Sequence, residues 1–204
     1  MSTGIKLHLG CGTRFLKGYI NCDVLQYKHV DRLGDIAKLD EFKDNSVEEI
    51  YACHVLEHVG RANLFRTLKE WNRVLKIGGT LRIAVPDFEQ CAKMYIKSPE
   101  TLYTTLFGLL YGGQRDAYDF HNLCFDYSNL KQLLKDIGFE HVQRYNAHDF
   151  LPPGFDDFSL AYVPHKDFTN GTLMSLNVTA KKQIAAGEQM SPLFKLVLGK
   201  KLST

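Results

Sequence analysis

The chain has 204 residues, 45% apolar and 24% charged, with a formal net charge of +2, enough for one domain with a sizeable core. Six prolines and sixteen glycines give no disordered bias, and no apolar run reaches the roughly 18 residues of a membrane span. Five lysines against one glutamate give residues 181–204 a charge of +4, so residues 1–180 carry −2 by difference; a body without a basic stripe is not built for nucleic acid.

The first residues lack the basic and apolar regions of an export signal and run almost at once into a strand at 5–9. Cysteines 11, 22, 53, 91 and 124 form no CxxC pair, which argues against a disulfide framework or a thiolate zinc site and for a reducing, cytoplasmic setting. Strands are expected at 19–23 and 49–53. Residues 61–75 place apolar side chains at 64, 65, 68, 71, 74 and 75, a helical face, and Gly78-Gly79 reads as its stop. A strand at 80–85 closes at Pro86. An apolar helix at 102–110 ends at Gly112-Gly113, and a helix at 128–136, capped by Asp126 or Ser128, stops at Gly138. Strands at 141–146 and 173–180 follow. This alternation predicts a parallel sheet covered on both faces, with a detachable stretch only after Lys182.

Residues 7–12, LHLGCG, are a strand running into a glycine pair. Gly10 and Gly12 open backbone angles closed to other residues and let a ligand approach the main chain. A dinucleotide fold asks for GxGxxG, a full helix, and an acid about 20 residues on. Here position 15 is Phe, and Asp23 follows Gly10 by 13 residues. With six residues between Gly12 and Tyr19, the first crossover is a loop or a single turn, better suited to a ribose than to a pyrophosphate. Asp23 is placed to accept both ribose hydroxyls; a loop acid or turn cap is the alternative.

LHLGCG followed by GYINCDV resembles the first two motifs of class I S-adenosylmethionine-dependent methyltransferases. Residues 51–59 (YACHVLEHV) resemble that family's fourth-strand motif, and residues 70–83 (EWNRVLKIGGTLRI) its following helix and fifth strand. The short first crossover, with YGGQ at 111–114, Phe120-His121 and SLNV at 175–178, resembles a subgroup associated with surface-polysaccharide biosynthesis. The resemblance implies an α/β, Rossmann-like sandwich: a mostly parallel seven-stranded sheet in the order 3-2-1-4-5-7-6, helices on both faces, and a shortened first crossover. It implies one methyltransferase domain over 1–182, followed by a basic and apolar tail over 183–204. The cofactor would be S-adenosylmethionine, leaving as S-adenosylhomocysteine. Gly10, Cys11 and Gly12 would line its methionine part, Asp23 its ribose, and Asp35 and Ile36 its adenine, with Val24 also against the cofactor and His54 near the sulfonium.

Three residues fall where a base for a neutral acceptor hydroxyl would stand: His58, Asp87 after the fifth strand, and His121. Their structural alternatives are a capping histidine, a turn, and a buried loop histidine. His54-x-x-Glu57-His58 also matches an inverted zinc-protease motif, but those ligands need one continuous helix and His54 closes a β-rich run. The reading expects no metal; a divalent ion on Glu57, His58 and His121 is the alternative. Aromatic residues between 95 and 127 suit sugar faces or the core of an added helix, and Gly112-Gly113 could hinge that element. Together these features predict an O-methyltransferase for a sugar hydroxyl of a glycan or nucleotide-sugar. Another small hydroxyl or amine metabolite, a non-catalytic cofactor-binding module, or an accessory subunit are the alternatives. The tail, expected to be dispensable from Lys182 on, would dock on the body, on a partner, or weakly on a membrane surface.

Overall fold

Runs of alternating and continuous apolar residues condense into a seven-stranded sheet. In the computed structural model, residues 4–183, 185, 192–197 and 199 are described. β1 (Ile5–Leu9), β2 (Ile20–Asp23), β3 (Arg32–Leu33), β4 (Val47–Cys53) and β5 (Leu75–Pro86) pair in parallel. β6 (Phe139–Arg144) closes the sheet through antiparallel pairing with β9 (Ser175–Lys182), which itself lies antiparallel to β5. A separate hairpin is formed by β7 (Tyr162–Val163) and β8 (Thr172–Leu173). The order β3-β2-β1-β4-β5-β9-β6 is the expected 3-2-1-4-5-7-6 once the hairpin is counted apart.

The helical face read at 64–74 forms α1 (Leu64–Val74), where Leu64, Phe65, Leu68, Trp71 and Val74 are all buried. They pack on Leu7, Leu9, Ile50, Ala52 and Ile83 of the sheet, each worth roughly 1.5 to 3 kcal/mol of burial. Trp71 Nε1 also donates to the Ile36 carbonyl at 3.0 Å. The glycine pair at 78–79 is not the helix stop. The helix ends at Val74, and residues 76–79 bulge out of β5 between the pairs Val47↔Leu75 and Glu49↔Thr80. A Cβ on Gly79 would stand 2.8 Å from the Lys76 carbonyl, so the bulge itself needs the glycine.

Three further helices follow: α2 (Phe88–Lys97); α3 (Phe107–Tyr111), which continues a wider π turn over Leu102–Leu106; and α4 (Tyr127–Asp136), capped by Asp126. α2 is absent from the sequence reading because only Cys91 of its residues is buried, leaving no apolar stripe to read. The opposite sheet face, with Tyr51, Cys53 and Ala84, is covered by Leu16 of the first crossover and by Ala147, Leu151 and Leu160.

Lys182 belongs to the body. It is 1% exposed, and its Nζ donates to Asn45 Oδ1 at 2.8 Å and to the carbonyls of Asn72 at 2.6 Å and Leu75 at 2.8 Å. Lys182→Met strands these acceptors and should cost about 2 kcal/mol, a fall in Tm of roughly 4 to 8 °C for a domain this size; an unchanged melt would show the ammonium to be idle. Beyond it, α5 (Pro192–Val197) meets the body where Arg61 Nε donates to the Val197 carbonyl. Much of the remaining tail lies outside the described residues.

His8, 2% exposed, stacks on Tyr51 and shares a 3.1 Å hydrogen bond with Asn21. Burial pushes its pKa below 6.5, against the partial opposition of the Asn21 bond. Unfolded chains bind that proton below about pH 6.5 while the fold resists it, so stability declines as pH falls through that range. Urea melts between pH 8 and 5 should show this decline, and His8→Gln should flatten it; equal slopes would assign the acid sensitivity to other groups.

Candidate active site

β1 ends at Leu9, and the chain turns through Gly10 and Gly12, both at positive φ. At Gly10 a Cβ would strike Val55 Cγ2 at 2.3 Å, so the turn packs against the segment after β4. At Gly12 a Cβ would meet nothing within 4 Å, because the backbone there faces an open cavity. No helix follows. The crossover is held instead by Asn21, which is fully buried: its Oδ1 accepts from the Leu16 amide at 2.9 Å, and its Nδ2 donates to the Tyr19 carbonyl at 3.0 Å. His29 Nε2 stands 3.0 Å from the Gly12 carbonyl. Neither brace was visible in the sequence, since each bonds to main chain brought near only by the fold.

Asp23 ends β2 and is 7% exposed. Its Oδ2 accepts from the Gly12 amide at 2.7 Å and its Oδ1 from the Leu25 amide at 2.8 Å. These bonds fix the carboxylate and leave each oxygen further acceptor capacity. The cavity holds about 580 Å³ and is lined by Gly10, Gly12, Asp23, Val24, Asp35, Ile36, His54 and His58 among others. Cys11 stands apart from this wall: its thiol is buried over the Gly12 carbonyl at 3.7 Å, and burial pushes its pKa up to about 12.

After β4 the chain breaks at His54, with φ 51°, and makes one tight turn over Leu56–His58. His54, Glu57 and His58 therefore share no continuous helix, which disposes of the zinc-protease motif. Residues 120–123 are laced onto this turn: the amides of Asn122 and Leu123 donate to the Glu57 carbonyl at 2.8 and 3.2 Å, and Asn122 Nδ2 to the His58 carbonyl at 2.9 Å. Gly112, φ 79°, lets the return strand pass: a Cβ there would lie 2.4 Å from the Asp119 carbonyl and 3.1 Å from His121 Cδ2. The lacing sets His121 edge-on against His58, ring centres 4.6 Å apart. Glu57 lies between the imidazoles with no solvent exposure, its Oε1 3.2 Å from His54 Nδ1 and 4.0 Å from His121 Nε2. Burial pushes the Glu57 carboxyl up, but the fields of His54, His58 and His121 outweigh it and hold it below its ordinary range. Burial lowers His121, with the Glu57 charge opposing.

His58 thus stands on the cavity wall and His121 directly behind it. Asp87 does not join them. It is 1% exposed and caps α2, its Oδ1 accepting from the Glu89 amide at 3.1 Å while Oδ2 pairs with Arg144 at 3.1 Å. A Pro-Asp step at the end of a strand looks the same in sequence whether it caps a helix or faces a substrate.

Residues 13–83 match the family described as Methyltransferase domain. A demethylmenaquinone methyltransferase of Staphylococcus saprophyticus is 32% identical over 120 residues, covering 54% of this chain and 48% of that protein. The chain therefore spans about half the length of this curated relative. The fold is similar to a solved structure from Thermotoga maritima described as an S-adenosylmethionine-dependent methyltransferase, possibly a histamine N-methyltransferase, with TM-score 0.56, 22% identity, and coverage of 88% of this chain and 82% of that one. It is also similar to an S-adenosylmethionine-dependent methyltransferase structure from Methanosarcina mazei, with TM-score 0.54, 18% identity, and coverage of 90% and 95%. The cavity fits the cofactor in the descriptions of these two structures: an open glycine backbone, an immobilised carboxylate at the end of β2, and Asp35 and Ile36 in its lining. Strand order and the match over residues 13–83 make the chain similar to class I S-adenosylmethionine-dependent methyltransferases, whose fold it has.

Proposed function

We propose that the chain is an O-methyltransferase acting on a sugar hydroxyl of a glycan or nucleotide-sugar. What supports this most is the carboxylate with two imidazoles, Glu57, His58 and His121, at the edge of the cofactor cavity. Bound S-adenosylmethionine supplies an electrophilic methyl group whose sulfur leaves as a thioether. An acceptor that is already ionised or a free amine needs no base, whereas a sugar hydroxyl is far from ionised at neutral pH and gains from one within reach. The histidine–glutamate cluster can take the hydroxyl proton as the oxygen–methyl bond forms. Tyr27, Tyr118 and Phe120 line the same cavity and offer ring faces to the apolar side of a sugar. Gly10, Gly12 and Asp23 hold the cofactor, with Val24, Asp35, Ile36 and His54 around it. Asp87, with both oxygens engaged in the fold, is given no part in the chemistry.

Among the described residues no helix is long and apolar enough to cross a membrane, and the five cysteines are free, in keeping with a cytoplasmic enzyme. The test is a turnover screen that reads S-adenosylhomocysteine release over monosaccharides, nucleotide-sugars, amines, phenols and demethylmenaquinone. Turnover confined to sugar-bearing acceptors is expected. Turnover only on the quinone, the acceptor in the curated relative's name, would replace this reading with an aromatic acceptor; cofactor binding without turnover on any class would make the chain a binding module.

A further inference from the structure

The donors around Glu57 are arranged for more than proton transfer. Both Glu57 oxygens are buried and neither makes a hydrogen bond of good geometry, the close ring nitrogen being His54 Nδ1 at 3.2 Å from Oε1, a costly state for a carboxylate unless a cation completes it. The two nearest imidazoles are braced in the same way. His121 Nδ1 lies 2.9 Å from the Leu109 carbonyl, and His58 Nδ1 lies 3.1 Å from the Phe120 carbonyl. A carbonyl can only accept, so each Nδ1 carries a proton, and in the neutral ring that a metal ion requires each Nε2 keeps its lone pair. A ring N–H fixed on a backbone carbonyl is the usual outer support of a metal-bound histidine. One ligand atom from each of Glu57, His58 and His121 lies within 4.8 Å of the others. Ligands of a tetrahedral zinc site stand about 3.3 Å apart at bond lengths near 2.0 to 2.1 Å, so the cluster closes on an ion with side-chain shifts of roughly 1 Å. His54 Nδ1, 3.2 Å from Glu57 Oε1, fixes the carboxylate from the other side, and Ser175 Oγ, 3.1 Å from His54 Nε2, fixes that ring in turn.

We propose that Glu57, His58 and His121 form a binding site for a divalent first-row transition-metal ion beside the cofactor cavity. Two imidazoles and one carboxylate suit zinc, manganese or iron(II) and disfavour magnesium or calcium, which take oxygen ligands. Three protein ligands leave positions free, and His58 lies on the cavity wall, so an acceptor oxygen can reach one of them. The inference rests on the methyltransferase reading only for that last use of the ion; binding itself does not depend on it.

The full chain, stripped with chelator, is titrated with zinc, manganese and magnesium chloride by calorimetry, and its cobalt(II) form is examined by visible absorption. The expected result is one zinc or manganese ion per chain, weaker magnesium binding, and a cobalt ligand-field band. Glu57→Gln and His121→Ala should each weaken binding by about 100-fold or more, at least the upper end of what losing an outer-shell partner of a ligand costs, and abolish the band. Should Glu57→Gln fail to fold, His121→Ala and His58→Asn carry the test. No stoichiometric binding to the wild type, or full binding retained in His121→Ala, overturns the site. Stoichiometric metal with no turnover on any acceptor overturns the methyl-transfer reading and leaves the site standing; chelator-resistant turnover by a metal-free chain leaves that reading standing and overturns the ion's use in it.

Discussion

His121→Ala lowers kcat by about 10²-fold or more on the true acceptor and leaves the affinity for S-adenosylmethionine nearly unchanged. Nε2 of His121 faces the buried Glu57 carboxylate, and its ring abuts His58 on the cavity wall. It lies outside the cavity lining itself, so its removal spares the cofactor's contacts and strikes the handling of the acceptor proton. An interaction made chiefly in the transition state lowers kcat and kcat/KM together. Steady-state kinetics with separate calorimetry for the cofactor reads both quantities. If the group acts as a free base, EDTA leaves activity intact. If it holds an ion, EDTA removes activity, zinc or manganese restores it, and Glu57→Gln is as damaging as His121→Ala. A kcat within a factor of about three of the wild type, far below the roughly 10²- to 10⁴-fold typical of a general base, would take His121 out of the chemistry altogether.

Asp23→Ala weakens S-adenosylmethionine binding by roughly 1.5 to 3 kcal/mol, the range for hydrogen bonds to a charged group, or about 12- to 140-fold in Kd. The carboxylate is held by the amides of Gly12 and Leu25, so the substitution removes the proposed ribose acceptor and also loosens the glycine turn that lines the cavity. Calorimetry on a variant shown to be folded by its melt is the check. An unchanged Kd would mean that the ribose binds elsewhere on the cavity wall.

What the sequence showed and what it hid follow from the range of the interactions. β1, the glycine pair and Asp23 were legible because they lie close together in sequence and each residue type has a specific local use there. α1 was legible through its buried face. α2 was not, since its solvated surface leaves only Cys91 inside. The residues that built the candidate site beyond those motifs act across long separations. His121 reaches Glu57 over 64 positions through carbonyls at Leu109 and Tyr111 and amides at 122 and 123, and Asn21 and His29 grip loop backbone. Side chains that bond to main chain leave no periodic signature. The same limit explains Asp87, whose cap on α2 could be known only once α2 itself was known.

The most direct measurement is a crystal structure of the chain grown with S-adenosylhomocysteine. The account predicts the ribose hydroxyls within about 3 Å of the Asp23 carboxylate, the homocysteine portion along Gly10 and Gly12, and the sulfur on the side of the cavity where His54 and His58 stand. Density for the ligand at another site, or in this cavity with the sulfur turned away from those histidines, would contradict it.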